Sequence, residues 1–205
     1  MSLTRVRDIA LSLMALVGLY LLYFAPDRDY GWIGNAILIG SAWITFYLWS
    51  KSAPLAGLSW SLGEQLATLS LAFTGVVAVF FVLKMQQMGW QVTDLKQPGV
   101  RSLGRNIVLM LVLSYVLMAA LRARAGQEAV EDERDRQIAA RAAAHAHIVL
   151  VVALIGLVLN LGFGGSVFAS YATPLNIAHW LIGLLIASIL AEHFSAVWQY
   201  RRDRA

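Results

Sequence analysis

Four polar side chains near the carboxyl end, Ser188, Glu192, Ser195 and Gln199, recur at i, i+4, i+7 and i+11, so a helix there carries them on one face. A carboxylate set among hydroxyls and an amide can bind a proton or a cation. Inside an apolar segment such a group is a functional candidate by default. The competing reading is a helix-packing hydrogen bond, or a solvated carboxylate at the membrane surface. His179 and His193 fall nearly on the opposite face of the same helix. His145 and His147 open the preceding apolar run, and in an antiparallel hairpin they would reach the depth of His193. Two imidazoles so placed could hold a metal or ligate a b-type haem. A di-haem arrangement through His179 and His193 needs matching histidines on a second helix, and the preceding run has none at the level of His179. No cofactor is therefore expected.

No catalytic constellation accompanies these groups. The chain has no HExxH, no GxSxG in a strand-to-helix context and no Walker loop. Ser188 and His193, five apart on one helix, point in different directions, and the absence of cysteine removes thiol chemistry and thiolate metal sites. Asn35, Asn160 and Asn176 suit interhelical hydrogen bonds or helix ends.

The densest charge cluster is Glu131-Asp132-Glu133-Arg134-Asp135-Arg136, followed by Gln137-Ile138-Ala139-Ala140-Arg141 and three alanines. These are helix-forming residues. The acids come first and the arginines later, as the helix dipole favours. Asp132 and Glu133 stand four and three residues ahead of Arg136, pairs that each contribute a few tenths of a kcal/mol. The spacing predicts one helix from about 129 to about 162, roughly 50 Å long, of which about 20 Å projects from the membrane ahead of the fifth span. Residues 123–145 are thus a cytosolic charged helical extension. It either fixes topology as a solvated segment or presents Asp132, Glu133, Arg134, Asp135, Arg136 and Arg141 to a partner.

The stretch Asp132-Glu133-Arg134-Asp135-Arg136-Gln137-Ile138, with Arg141-Ala142 after it, resembles a family of predicted bacterial and archaeal membrane proteins of unknown function. In that family a D-E-R-D/T-x-x-I motif precedes a pair of closing spans. The closing segment here, with Ala191-Glu192-His193 and Gln199-Tyr200-Arg201-Arg202, is similar to theirs. The resemblance covers roughly 131–202 and implies an integral membrane protein without supplying a chemistry. The first four spans are only generically hydrophobic.

What must position these residues is a set of long apolar helices. The 205 residues are 59% hydrophobic and 14% charged, against about 25% charged in a soluble domain, so lipid must be much of the solvent. The net charge of +4 does not indicate nucleic-acid binding, because the basic residues sit at the ends of apolar runs rather than in a patch. Segments near 8–25, 32–50, 66–84, 105–122, 146–168 and 174–198 are each long enough to cross the hydrocarbon. The first lacks a cleavage site and reads as a retained helix. Thr173-Pro174 is an N-cap with proline in the first turn, and Gly162, Gly164 and Gly165 suit a helix stop. Pro54, Gly57 and Gly63 predict a turn-rich second connection, and 85–104 reads as a longer outer loop. With the amino terminus inside, eleven of the 16 Lys and Arg residues are cytoplasmic, and Arg28, Lys84, Lys96, Arg101 and Arg105 are outside.

The expected fold class is therefore all-α: a single polytopic transmembrane helical bundle over residues 1–205, about six spans, N-in/C-in, in the inner membrane. The expected role is non-enzymatic, with the charged helix and inner loops meeting a cytosolic protein partner or another membrane subunit. The alternatives are a small transporter or channel built on Glu192, and a b-type haem electron carrier using His193.

Overall fold

The computed structural model describes residues 3–24, 31–52, 61–92, 94–96, 98–125 and 133–203. Within them the chain is helical, without strands: α1 (Leu3–Phe24), α2 (Gly31–Ser52), α3 (Leu62–Gln87), α4 (Pro98–Ala125), α5 (Glu133–Phe163), α6 (Gly165–Tyr171) and α7 (Pro174–Arg202). An apolar run in lipid can satisfy its peptide groups only within itself, and the helix is the way a single segment does so. Among the described residues, four helices are long and apolar enough to cross a membrane: α3 from Gly63 to Gln87, α4 from Gly99 to Ala120, α5 from Glu133 to Phe163, and α7 from Pro174 to Arg202. The chain is thus a helical protein with several membrane-capable spans. The first two apolar segments also form helices, each of 22 residues.

Two compact units are present. In the first, α2 packs against both α1 and α4. The buried side chains of Asn35 and Asn106 hydrogen-bond across α2 and α4 at 2.8 Å, and the Trp43 indole donates to the Ser114 hydroxyl between the same helices. Ile39 and Trp43, fully buried, fill the space beside them. Asn35 therefore acts as interhelical glue. Asn160 does not: it is exposed, and its amide donates to the Gly156 carbonyl of its own helix.

In the second unit α7 is central, with α3 and α5 packed on it. Thr173 caps α7, accepting from the Asn176 backbone at 3.2 Å, and Pro174 occupies the first turn where its missing N–H costs nothing. α5 stops at Phe163. The Gly164 N–H donates to the Asn160 carbonyl, and Gly165 adopts a left-handed φ of +72°, which turns the chain into the seven-residue α6.

The connections differ from expectation in two places. α3 runs on to Gln87 and α4 starts at Pro98, so the connection is shorter than 85–104, because a proline in the first turn initiates a helix even where Arg101 and Arg105 break the apolar run. Gly63 lies in the first turn of α3 rather than in a loop. Pro54, Gly57 and the cluster's first residues, through Asp132, lie outside the described residues.

Candidate functional site

Where α5 begins and α7 ends, polar groups concentrate. On α5, Asp135, Ile138, Ala142 and Ala146 repeat at helical spacing, and the last three are buried. Ile138 and Ala142 pack with Ala196 and Tyr200 of α7, and Ala67 of α3 closes the cluster. Burying an isoleucine contributes roughly 1.5–3 kcal/mol, so this apolar contact outweighs the ion pairs around it.

Polar contacts fix the register of the same helices. The Tyr200 hydroxyl donates to Asp135 Oδ1 at 2.8 Å. Gly63 of α3 stands at this pair: a Cβ there would collide with the Tyr200 hydroxyl and lie 2.8 Å from Asp135 Cγ. Arg134 Nε donates to Asp203 Oδ2 at 3.3 Å, and its guanidinium lies 5.9 Å from the centre of the Tyr200 ring. Both partners of that ion pair are nearly half exposed, so it contributes about 0–1 kcal/mol. Glu133 and Arg136 approach to 4.0 Å on the exposed side.

One layer along α7, Ser195 Oγ lies 2.7 Å from His145 Nδ1 and accepts from Gln199 Nε2 at 3.2 Å. Ser188, further along, donates to the Ala146 carbonyl of α5 at 3.0 Å. Ser188, Ser195 and Gln199 are thus brought together as an interhelical seam. Glu192 and His193 are half-buried on α7 and are not part of this hydrogen-bonded set. Two buried atoms, Gln199 Oε1 in the seam and Thr68 Oγ1 of α3, have no hydrogen-bond partner. Of the charged cluster, Asp135 faces α7, while Glu133, Arg134, Arg136 and Arg141 are exposed.

Sequence reasoning passed over Glu64, in the first turn of α3 and only 3% exposed. A single acid at the edge of an apolar run looks like a loop residue, and only the packing of α3 on α7 shows it to be enclosed. Among the described residues, no three His, Asp or Glu side chains cluster as a metal site requires.

Long apolar helices, a closing span capped by Thr173 with Pro174 in its first turn, and a hydroxyl-to-carbonyl bond between helices define the class: a helical multi-pass membrane protein. Residues 72–204 match the predicted membrane protein family DUF2178, and the chain belongs to it. The match begins within α3, so it takes in α4 and most of α3 as well as the closing pair of helices on which the resemblance in sequence rests. Comparison with curated proteins and with solved structures gives no match.

Proposed function

We propose that this is a six-span, non-enzymatic inner-membrane protein with both termini in the cytosol, whose charged start of α5 docks a cytosolic protein or another membrane subunit. The observation that carries this reading is the division of labour around α5. Asp135, Ile138 and Ala142 are committed to α7 and α3, which leaves Glu133, Arg136, Gln137 and Arg141 exposed on a helix already held in place. A charged face that is ordered beforehand spares a partner much of the cost of ordering side chains and backbone on binding. The long-range charge bias of such a face acts chiefly on encounter rate and partner choice.

The bias of eleven to five in Lys and Arg supports the orientation, and the helices α1 and α2 over the first two apolar segments support six spans. The transporter reading rests on an open polar face of α7, and Ser188, Ser195 and Gln199 instead spend hydrogen bonds on α5 and on one another.

The test is site-specific photo-crosslinking in cells from the exposed positions Ala139 and Ala140. A discrete adduct is expected, reduced about tenfold or more by the double substitution Arg136→Glu, Arg141→Glu, with membrane levels unchanged, since removing close charge pairs costs about 1.5 kcal/mol or more. No adduct from either position, or an adduct indifferent to charge reversal, overturns the proposal.

A further inference from the structure

Away from the charged end, α3 and α5 part over α7 and leave a cleft of about 540 Å³ within the second unit. Its floor is α7 from His179 to Leu190, and its walls include Phe81 and Met85 of α3 and Ala153 and Leu157 of α5. The volume lies in the range of small-molecule sites, about 300–1,000 Å³. No charged side chain lines it. We propose that this cleft binds a single-chain membrane alcohol, its apolar chain along α7 and its hydroxyl at His179.

Length argues for a chain. From His179 to Leu190 the helix rises roughly 16 Å, about half the thickness of a bilayer's hydrocarbon core. The cleft is therefore one leaflet deep. Gly183, where a Cβ would press on the Phe81 ring at 3.0 Å, and Ala187 keep the floor low along this length. A flexible chain fills such a channel better than a rigid polycycle does.

Chemistry at one end argues for the hydroxyl. His179 Nδ1 lies 2.7 Å from the Leu175 carbonyl. A carbonyl only accepts, so Nδ1 carries the hydrogen of that bond, and Nε2 is the ring nitrogen left over for a ligand. Trp90 and Trp180 line the same end, and an indole N–H only donates. A hydroxyl both donates and accepts, so it can pair with Nε2 and with an indole N–H in either sense. A carboxylate or phosphate would lack a cation there.

The mouth is held from several sides. Trp90 adopts φ of +58°, a left-handed conformation that is rare for an aromatic residue and often marks a functional constraint. Its backbone N–H donates to the Met85 carbonyl at 2.9 Å, and Val92 N–H donates to buried Asn176 Oδ1 at 2.6 Å, which ties this turn to the start of α7. Phe168 of α6 packs on Trp180 with ring centres 5.2 Å apart. α6 and the 88–92 turn thus bracket the polar end of the cleft.

The experiment uses the full chain in lipid nanodiscs and a diazirine analogue of hexadecanol, with labelled peptides mapped by mass spectrometry. Labelling is expected on α3 and α7 at residues of the cleft, and excess hexadecanol should suppress it about tenfold more effectively than hexadecane or palmitate. His179→Phe should erase the preference for the alcohol over the alkane, and His179→Gln, which keeps an acceptor, should restore part of it. Ala153→Trp, placed on the wall, should abolish labelling while helical circular dichroism and elution volume stay those of the parent. Equal competition by hexadecane, stronger competition by palmitate, or labelling spread over the outer faces of the helices would overturn the proposal.

Discussion

The Tyr200 hydroxyl does two things at once, donating to Asp135 and occupying the space where any side chain on Gly63 would stand. Tyr200→Phe should therefore destabilise the second unit by about 1 kcal/mol, the usual net value of a hydrogen bond. Gly63→Ala should cost more, about 1–3 kcal/mol, because overpacking forces the neighbours to move. The two substitutions should not add: with the hydroxyl gone, the alanine finds part of the room it needs, and the cycle should show a coupling of at least about 0.5 kcal/mol. Denaturation in mixed detergent, followed by tryptophan fluorescence, measures all three; strict additivity would mean that the hydroxyl and Gly63 do not share this space. At this scale the sequence was only partly legible. Ser188, Ser195 and Gln199 share a face by spacing alone, but nothing local shows that Gly63, distant in the chain, supplies the opening for Tyr200. Glu64 escaped notice for the same reason, since its burial depends on a helix far away in sequence.

α5 joins an exposed charged start to a lipid-like apolar length, with Val151, Val152, Ile155, Val158 and Leu159 all exposed in the second unit. Its first turns hold their helix through Ile138, which is 3% exposed, as well as through backbone bonds. Ile138→Pro removes one such bond, drives the ring against the preceding turn and empties the cluster with Ala196 and Tyr200. The expected cost is about 3 kcal/mol or more. Spin labels over 133–137 should then report coil, and the protein should still insert, because the apolar windows of α5 and α7 are untouched. Labels that stay helical in the variant would show that α7 contacts, rather than the continuity of α5, order this segment. The helices themselves were legible because an apolar run of this length has few other structures open to it. Their ends were less so: the Thr173-Pro174 start of α7 follows from cap chemistry, whereas the extension of α4 back to Pro98 crosses two arginines that look like loop residues.

At the scale of the whole chain, membership of a membrane-protein family and the four membrane-capable helices give the class, and the proposed function turns on which side the charged start of α5 faces. In the proposed six-span arrangement it shares the cytosol with the end of α7, opposite the turn that follows α3 and the end of α6. The chain contains no cysteine, so single cysteines report position without background. The direct measurement is labelling of Ala139→Cys, Arg202→Cys, Leu95→Cys and Tyr171→Cys, all exposed positions, with a membrane-impermeant maleimide before and after cell lysis. In the six-span arrangement Leu95→Cys and Tyr171→Cys react in intact cells, and Ala139→Cys and Arg202→Cys react only after lysis. Reaction of Ala139→Cys in intact cells, with Leu95→Cys protected, would contradict it and remove the charged face from any cytosolic partner.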